Sequence, residues 1–522
     1  MHMNTTATPT AAPAATTRST LDELATGRVG FVADRGLWTK EQYRKAEGIY
    51  ETIDRLGLEV IRVVYVDPHG LTRSKSLTPS AFKAAMRNGI DTSPGGVIFD
   101  TGLELVFNPF ESGGGLGNEE MTGAADFLLV PDPDTFQVLP WVESTGWILA
   151  DEYLKNGDPL PYSARLLLKR ELAKLAERGM EMIIGLEVEW YLTKLVDDRY
   201  EAENIGGFGQ PGGPPVVAPL NIGYQFMSEN LCDEAEEHIR DLRRALIQFG
   251  MPLRTTEHES GPGQMEFTFA PLDALQAADA MVLFRVAAKQ ISARQGLHAS
   301  FMCAPKLQGF DANGWHLHQS IFDTASATNA FATSDESQIL SPLATHYAGG
   351  LLAHSPATTI FAAPTVNGYK RLSARFSLSP DRATWSADNR GTYLRVLAEA
   401  NDPASHFENR IGEPAANPYL YIASQLVAGM HGVDEQLDPG PMTVNPHDTS
   451  LPSLPCSLAE AADELDRSAL FREVFGNEFV DYYLRLKRNE WRRYTESLAA
   501  VGESDDQDEI SDWEHREYFR MY

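Results

Sequence analysis

The stretch Gly185-Leu186-Glu187-Val188-Glu189-Trp190-Tyr191-Leu192 places two carboxylates one residue apart inside an apolar run that Met180-Glu181-Met182-Ile183-Ile184 precedes. Its alternation reads as a buried β-strand. Positions i and i+2 of a strand share a face, so Glu187 and Glu189 stand side by side and repel unless a cation lies between them. An exposed edge with two solvated acids is the ordinary alternative. The hydrophobic flanks argue against it, because unpaired carboxylates are buried reluctantly. The pair points to a metal site.

The same strand grammar returns downstream. Glu259 and Glu266 bracket Ser260-Gly261-Pro262-Gly263-Gln264-Met265, a Gly/Pro turn feeding the alternating strand Glu266-Phe267-Thr268-Phe269. His316 and His318 form a second i, i+2 pair in Asn313-Gly314-Trp315-His316-Leu317-His318-Gln319-Ser320, and Glu408 lies in His406-Phe407-Glu408-Asn409-Arg410-Ile411. A histidine pair alone is more often a hydrogen-bonded patch than a ligand pair. Taken together, a carboxylate-rich set with a minority of imidazole suits Mg²⁺ or Mn²⁺.

These blocks identify the chain as resembling the glutamine synthetase superfamily, in its γ-glutamyl-amine ligase branch. The match runs from about Asp126 to the end and includes Asp126-Phe127-Leu128-Leu129-Val130-Pro131-Asp132, Val366-Asn367-Gly368-Tyr369-Lys370-Arg371-Leu372, Asn389-Arg390 to Arg395, and Glu408 to Tyr419. The resemblance implies an α+β chain: a disordered tail over residues 1–20, a small β-grasp-like domain over 21–155, and a catalytic domain over 156–522 whose antiparallel sheet carries the metal site. It implies ATP and two or more Mg²⁺ or Mn²⁺ ions per site, with Glu189, Glu259 and Glu266 holding one ion and Glu187, His316 and Glu408 the other. Arg371 and Arg410 resemble the family's glutamate-carboxylate clamps. Arg390 resembles its catalytic arginine shared between phosphate and glutamate, and Arg395, His318 and Ser320 its ATP contacts. Gly314 falls in the glutamate site. Arginine suits these roles because its planar, permanently charged fork binds carboxylate and phosphate bidentately, although any one arginine is by itself more often a surface ion pair.

Departures from the family bear on the amine. True glutamine synthetases resemble Arg-Leu-Val-Pro-Gly-Tyr-Glu after the first clamp, and the final glutamate helps hold and deprotonate ammonium. Here Leu372-Ser373-Ala374-Arg375-Phe376-Ser377 follows Arg371, so Ser377 replaces that acid. The ammonium segment is matched only partly, by Asp100-Thr101-Gly102-Leu103, which leaves Asp100 as the expected acceptor of the amine's proton. The leading expectation is an ATP-dependent ligase acting on a bulky monoamine such as an arylamine. A polyamine or short-alkylamine ligase, a true glutamine synthetase, and a non-catalytic oligomer on the same fold are the alternatives.

Composition excludes other classes. Lys+Arg 44 against Asp+Glu 73 gives a net charge of −29, which disfavours nucleic acid and anionic membranes as partners. Cys232, Cys303 and Cys456 form no CxxC, so neither a disulfide framework nor a zinc knuckle is supported, and a reduced cytoplasmic setting is expected. No apolar stretch reaches the ~18 residues needed to span a bilayer. The family resemblance implies a homo-oligomer of stacked rings with sites at subunit interfaces.

Periodicity predicts helices over Lys40–Leu56, Pro79–Asn88, 163–178, 231–249, 272–296, 418–432 and 513–522, a strand over 59–67, and an extended loop at glycines 113–115. Gly207-Phe208-Gly209-Gln210-Pro211-Gly212 fits GxGxxG, but Pro211 and the following Gly213-Pro214-Pro215 cannot begin the helix that would hold a pyrophosphate. It is read as a loop. The acidic run 503–509 reads as a solvated turn before a last helix that docks elsewhere, a neighbouring subunit being one possibility.

Overall fold

The computed structural model describes residues 29–372 and 378–522. The described residues form two compact units, one of 29–63, 75–91 and 128–150, the other of 64–74, 92–127, 151–372 and 378–522. A six-stranded sheet runs in the order Thr72–Leu77, Val60–Val66, Thr145–Tyr153, Phe127–Pro131, Ile90–Thr92, with Gln137–Val138 on Thr145–Tyr153. Helices Lys40–Leu56 and Pro79–Asn88 begin and end where the sequence predicts, because their signals are explicit. Thr39 and Gln42 form a capping box, Gly57 closes that helix at φ 60°, and Thr78 caps a helix with proline in its first turn.

An eleven-stranded sheet organises the larger unit in the order Trp385–Ala387, Leu394–Leu397, His406–Asn409, Trp315–Asp323, Met180–Asp197, Gln264–Phe269, Leu253–His258, with four short strands attached beside this path. The long strand Met180–Asp197 is its centre. Its antiparallel register sets His316 opposite Glu187 and Glu266 opposite Glu189. One strand further out, Glu408 lies opposite His318, and Arg395 opposite Glu408. Directly opposed residues share a face, so the i, i+2 pairs and their partners form one polar row. The opposite face supplies Leu186, Val188, Trp190, Met265, Phe267, Leu317 and Phe407, each at most 2% exposed. Trp190 stacks on Phe301 at 5.7 Å and meets Phe284 of helix Ala274–Arg294 edge-on at 6.1 Å. Alternation thus puts a dry aromatic core on one side of the sheet and the chemistry on the other.

Several expectations need correction. The helix predicted from residue 272 starts at Ala274, because Leu272 and Asp273 pair with Ile184 and Ile183 as a short strand and the Asp273 carboxylate caps the helix. Glycines 113–115 are not extended: all three have positive φ, 68°, 64° and 69°, in a tight 3-10 turn. The acidic run is not merely solvated, since Asp505 takes Lys370 at 2.9 Å and the Tyr494 hydroxyl at 2.7 Å. The last helix, Asp512–Tyr518, docks on its own chain. The His298 ring and the Ser300 hydroxyl both bond the Phe519 carbonyl, and Tyr518 is buried. Residues 207–212 form a turn, with Gly207 bridged to Gln210 and no helix following. The expected N-terminal tail lies outside the described residues.

Candidate active site

Glu187 sits at the centre of the polar row. Its Oε1 lies 2.5 Å from His316 Nδ1 and its Oε2 lies 3.1 Å from His318 Nε2. Arginine can only donate, so the Arg371 guanidinium, 3.2 Å from His316 Nε2, fixes that nitrogen as acceptor and Nδ1–H as the donor toward Glu187. Two groups offer ligand atoms within 4.8 Å of one another: Glu187, Glu266 and His316, and Glu187, His318 and Glu408. Glu187 belongs to both. His318, expected at ATP, therefore also stands where a cation could sit.

Glu189 accepts from the Gly314 amide at 2.8 Å, while its own amide donates to the Gly314 carbonyl at 3.0 Å. The site needs glycine there. A Cβ on residue 314 would lie 2.7 Å from an Arg371 nitrogen and 2.9 Å from His316 Nε2. Gly314→Ala is accordingly expected to lower kcat/KM by about 10²-fold with little change in thermal stability, because displacing positioned groups by about 1 Å costs that much. Steady-state rates beside a melting curve check this; an unimpaired variant would show that Arg371 and His316 tolerate the shift.

The arginines are held by the same strands. Arg371 donates to the carbonyls of Arg410 and Gly412 at 3.0 and 3.4 Å. Arg410 pairs with Glu408 and donates to the Arg390 carbonyl at 2.8 Å. Arg395 bridges Glu408 at 2.9 Å and Asp388 at 2.6 Å. Arg390, Arg395, Arg410 and Ser320 line one cavity of about 1600 Å³ with Glu187, Glu189, Glu259, Glu266, His316 and His318. Ser377 lies outside the described residues.

Electrostatics fit a cation. Burial, then the charges of Glu187, Glu189 and Glu259, push Glu266 up to about 10. Burial raises Glu189 and Glu259 to about 7, Glu189 despite Arg371 nearby. Burial, with Arg410 beside it, lowers His316 to about 4, so its ring is neutral near pH 7. Burial would raise Glu187, but hydrogen bonds from His316 and His318 hold it well below the usual carboxylate range. A divalent ion among these oxygens relieves the repulsion that protonation otherwise relieves, and an oxygen-rich set with minority imidazole suits Mg²⁺ or Mn²⁺.

Asp100 is held by groups of its own chain. Its carboxylate accepts from the amides of Gly102 and Glu104 at 3.0 and 2.8 Å, from Asn489 at 2.8 Å and from Arg493 at 3.2 Å, and it is 1% exposed. These partners come from a loop and a helix. It lies outside the cavity lining of its own chain. His406, absent from the expected set, contacts His318 at 3.1 Å from Nε2 to Nδ1, and Asp388 holds Arg395. The strand period flags His406, two residues before Glu408 on the same face; Asp388 left no such signal.

The sequence matches the family described as glutamine synthetase, catalytic domain, over residues 161–514. Gamma-glutamylanilide synthase of an Acinetobacter species is 42% identical over 95% of this chain and 99% of its own length. Glutamine synthetase of Methanosarcina mazei is 32% identical over 86% of this chain and 94% of its own. Among solved structures, apo GmaS without ligand superposes with a TM-score of 0.72 at 27% identity, covering 90% of this chain and 98% of that one. A catalytic-domain match across most of the chain and relatives aligned nearly end to end agree with the two-carboxylate strand, and the chain belongs to the glutamine synthetase family of ATP-dependent carbon–nitrogen ligases.

Proposed function

We propose that the enzyme joins the γ-carboxyl of L-glutamate to a bulky, apolar amine of the aniline type, through γ-glutamyl phosphate formed from ATP. The observation that carries this reading is the 42% identity to gamma-glutamylanilide synthase across 95% of the chain. Ser377 in place of the expected flap acid supports it. An alkylammonium must lose a proton before it attacks and benefits from a carboxylate, whereas an arylamine is already neutral near pH 7.

Glu189, Glu259 and Glu266 would hold one divalent ion and Glu187, His316 and Glu408 another, which when bound offset the charge of the transferring phosphoryl group. Arg371 and Arg410 clamp the α-carboxylate of glutamate, and Gly314 leaves room for it. Arg390 and Arg395 face the phosphoryl oxygens, while His318 and Ser320 contact ATP. Residues 156–522 act as the catalytic domain and 21–155 as the smaller one. A cytoplasmic homo-oligomer of stacked rings fits the family; no helix among the described residues is long and apolar enough to cross a membrane.

ADP release with ATP, glutamate and a panel of amines tests the reading. The kcat/KM for aniline should exceed those for a short alkylamine, putrescine and ammonia by at least about tenfold, the discrimination an apolar pocket commonly gives. Hydroxylamine should trap a hydroxamate only when ATP and glutamate are both present. Preference for putrescine or ammonia would overturn the choice of amine, and a covalent glutamyl-enzyme would overturn the acyl phosphate.

A further inference from the structure

The loop after strand Val216–Pro219 is clipped onto the segment that carries Glu259. The Tyr224 amide donates to the Ser260 carbonyl at 2.7 Å and the Met227 amide to the His258 carbonyl at 3.0 Å, two bonds that bracket Glu259. The clip is braced from beneath. Asn221 Oδ1 accepts from the amides of Gly223 and Gly263 at 3.2 and 3.0 Å, and Asn221 Nδ2 donates to His258 Nε2 at 2.8 Å. The fully buried His258 then donates from Nδ1 to the Glu259 carbonyl at 2.6 Å. Tyr224 and Met227 hold φ values of 62° and 52°, a conformation that residues with a Cβ rarely adopt without such bracing.

This built loop leaves Phe226 63% and Met227 54% exposed while both line the cavity that contains Glu187, Glu259 and Glu266. Leu378, 67% exposed, lines it too. Large apolar side chains held uncovered beside a catalytic carboxylate cluster call for an apolar partner inside the site. We propose that Phe226 and Met227 form the wall that receives the apolar body of the amine, an inference that rests on the arylamine reading above. A phenyl ring offers a face for offset or edge-on packing, and a thioether packs well at a ring edge.

The test compares Phe226→Ser, Phe226→Leu and Met227→Ser with Ile222→Ser, which alters an 81% exposed residue of the same loop outside the cavity lining. Rates of anilide and hydroxamate formation are measured with aniline and with hydroxylamine, and size-exclusion chromatography follows assembly. The ratio of kcat/KM for aniline to that for hydroxylamine should fall about tenfold in Phe226→Ser, the effect of losing one aromatic face, and less in Phe226→Leu and Met227→Ser. It should hold in Ile222→Ser. An equal fall for both amines, or altered assembly with an unchanged ratio, would overturn the wall. If the wild-type enzyme forms no anilide, the arylamine reading fails first; if it does and the ratio is insensitive to Phe226, only the wall fails.

Discussion

Replacing Glu187 by glutamine is expected to lower kcat by about 10³-fold or more while the protein stays folded, the largest effect of any single change in the cavity. Glu187 belongs to both groups of potential ligands, and its two oxygens face His316 and His318 separately. Glutamine keeps the shape and removes the charge, so both groups lose their common anion. Metal stabilisation of a transferring phosphoryl group is worth several kcal/mol, and each 1.36 kcal/mol is a factor of ten. Glu259→Gln should cost less, because it removes a charge from one of the two proposed ions alone, whereas Glu187 stands within ligand reach of both groups. Calorimetric titration with Mg²⁺ and Mn²⁺, circular dichroism and ADP release together check this. Full activity in Glu187→Gln, or in wild-type enzyme after exhaustive chelation, would remove the two-cation reading.

The pair at Glu187 and Glu189 was legible because a strand's period of two is local, and burial of both acids could be argued from their own neighbours. Glu266, His316 and Glu408 followed from short motifs of the same kind. What no local pattern carries is the pairing between strands far apart in the chain. Register brings His318 against Glu408 and Arg395 against Glu408, and nothing near Asp388 announces that it will hold Arg395. Asp100 shows the same limit. Nothing in its motif announces that Arg493, on a helix near the other end of the chain, pairs with the carboxylate. The exposed Phe226 and Met227 were likewise illegible, because their place beside Glu259 depends on the Asn221 and His258 brace.

Glu490→Ala is expected to destabilise the protein by about 3–5 kcal/mol, the cost of leaving a buried charge without its partner. Glu490 is 0% and Lys487 1% exposed, and they pair at 2.9 Å. The other Glu490 oxygen accepts from the Tyr518 hydroxyl at 2.5 Å, and that hydroxyl in turn accepts from the Val366 amide at 3.3 Å. Asn367 donates to Glu514 at 2.9 Å, and Lys370 reaches Asp505 at 2.9 Å. The segment Val366 to Arg371 is thus held from behind by the helices Asn477–Val501 and Asp512–Tyr518, and Arg371 at its end meets His316. Loss of Glu490 should therefore raise KM for glutamate as well as lower the melting temperature. The double change Lys487→Met with Glu490→Leu removes both charges and should recover most of the stability, since an apolar pair of similar volume often replaces a buried ion pair at little cost. Additive losses in that cycle would show that the pair is not coupled. Unaltered glutamate binding in a destabilised Glu490→Ala would show that Arg371 is positioned by its own strand neighbours alone.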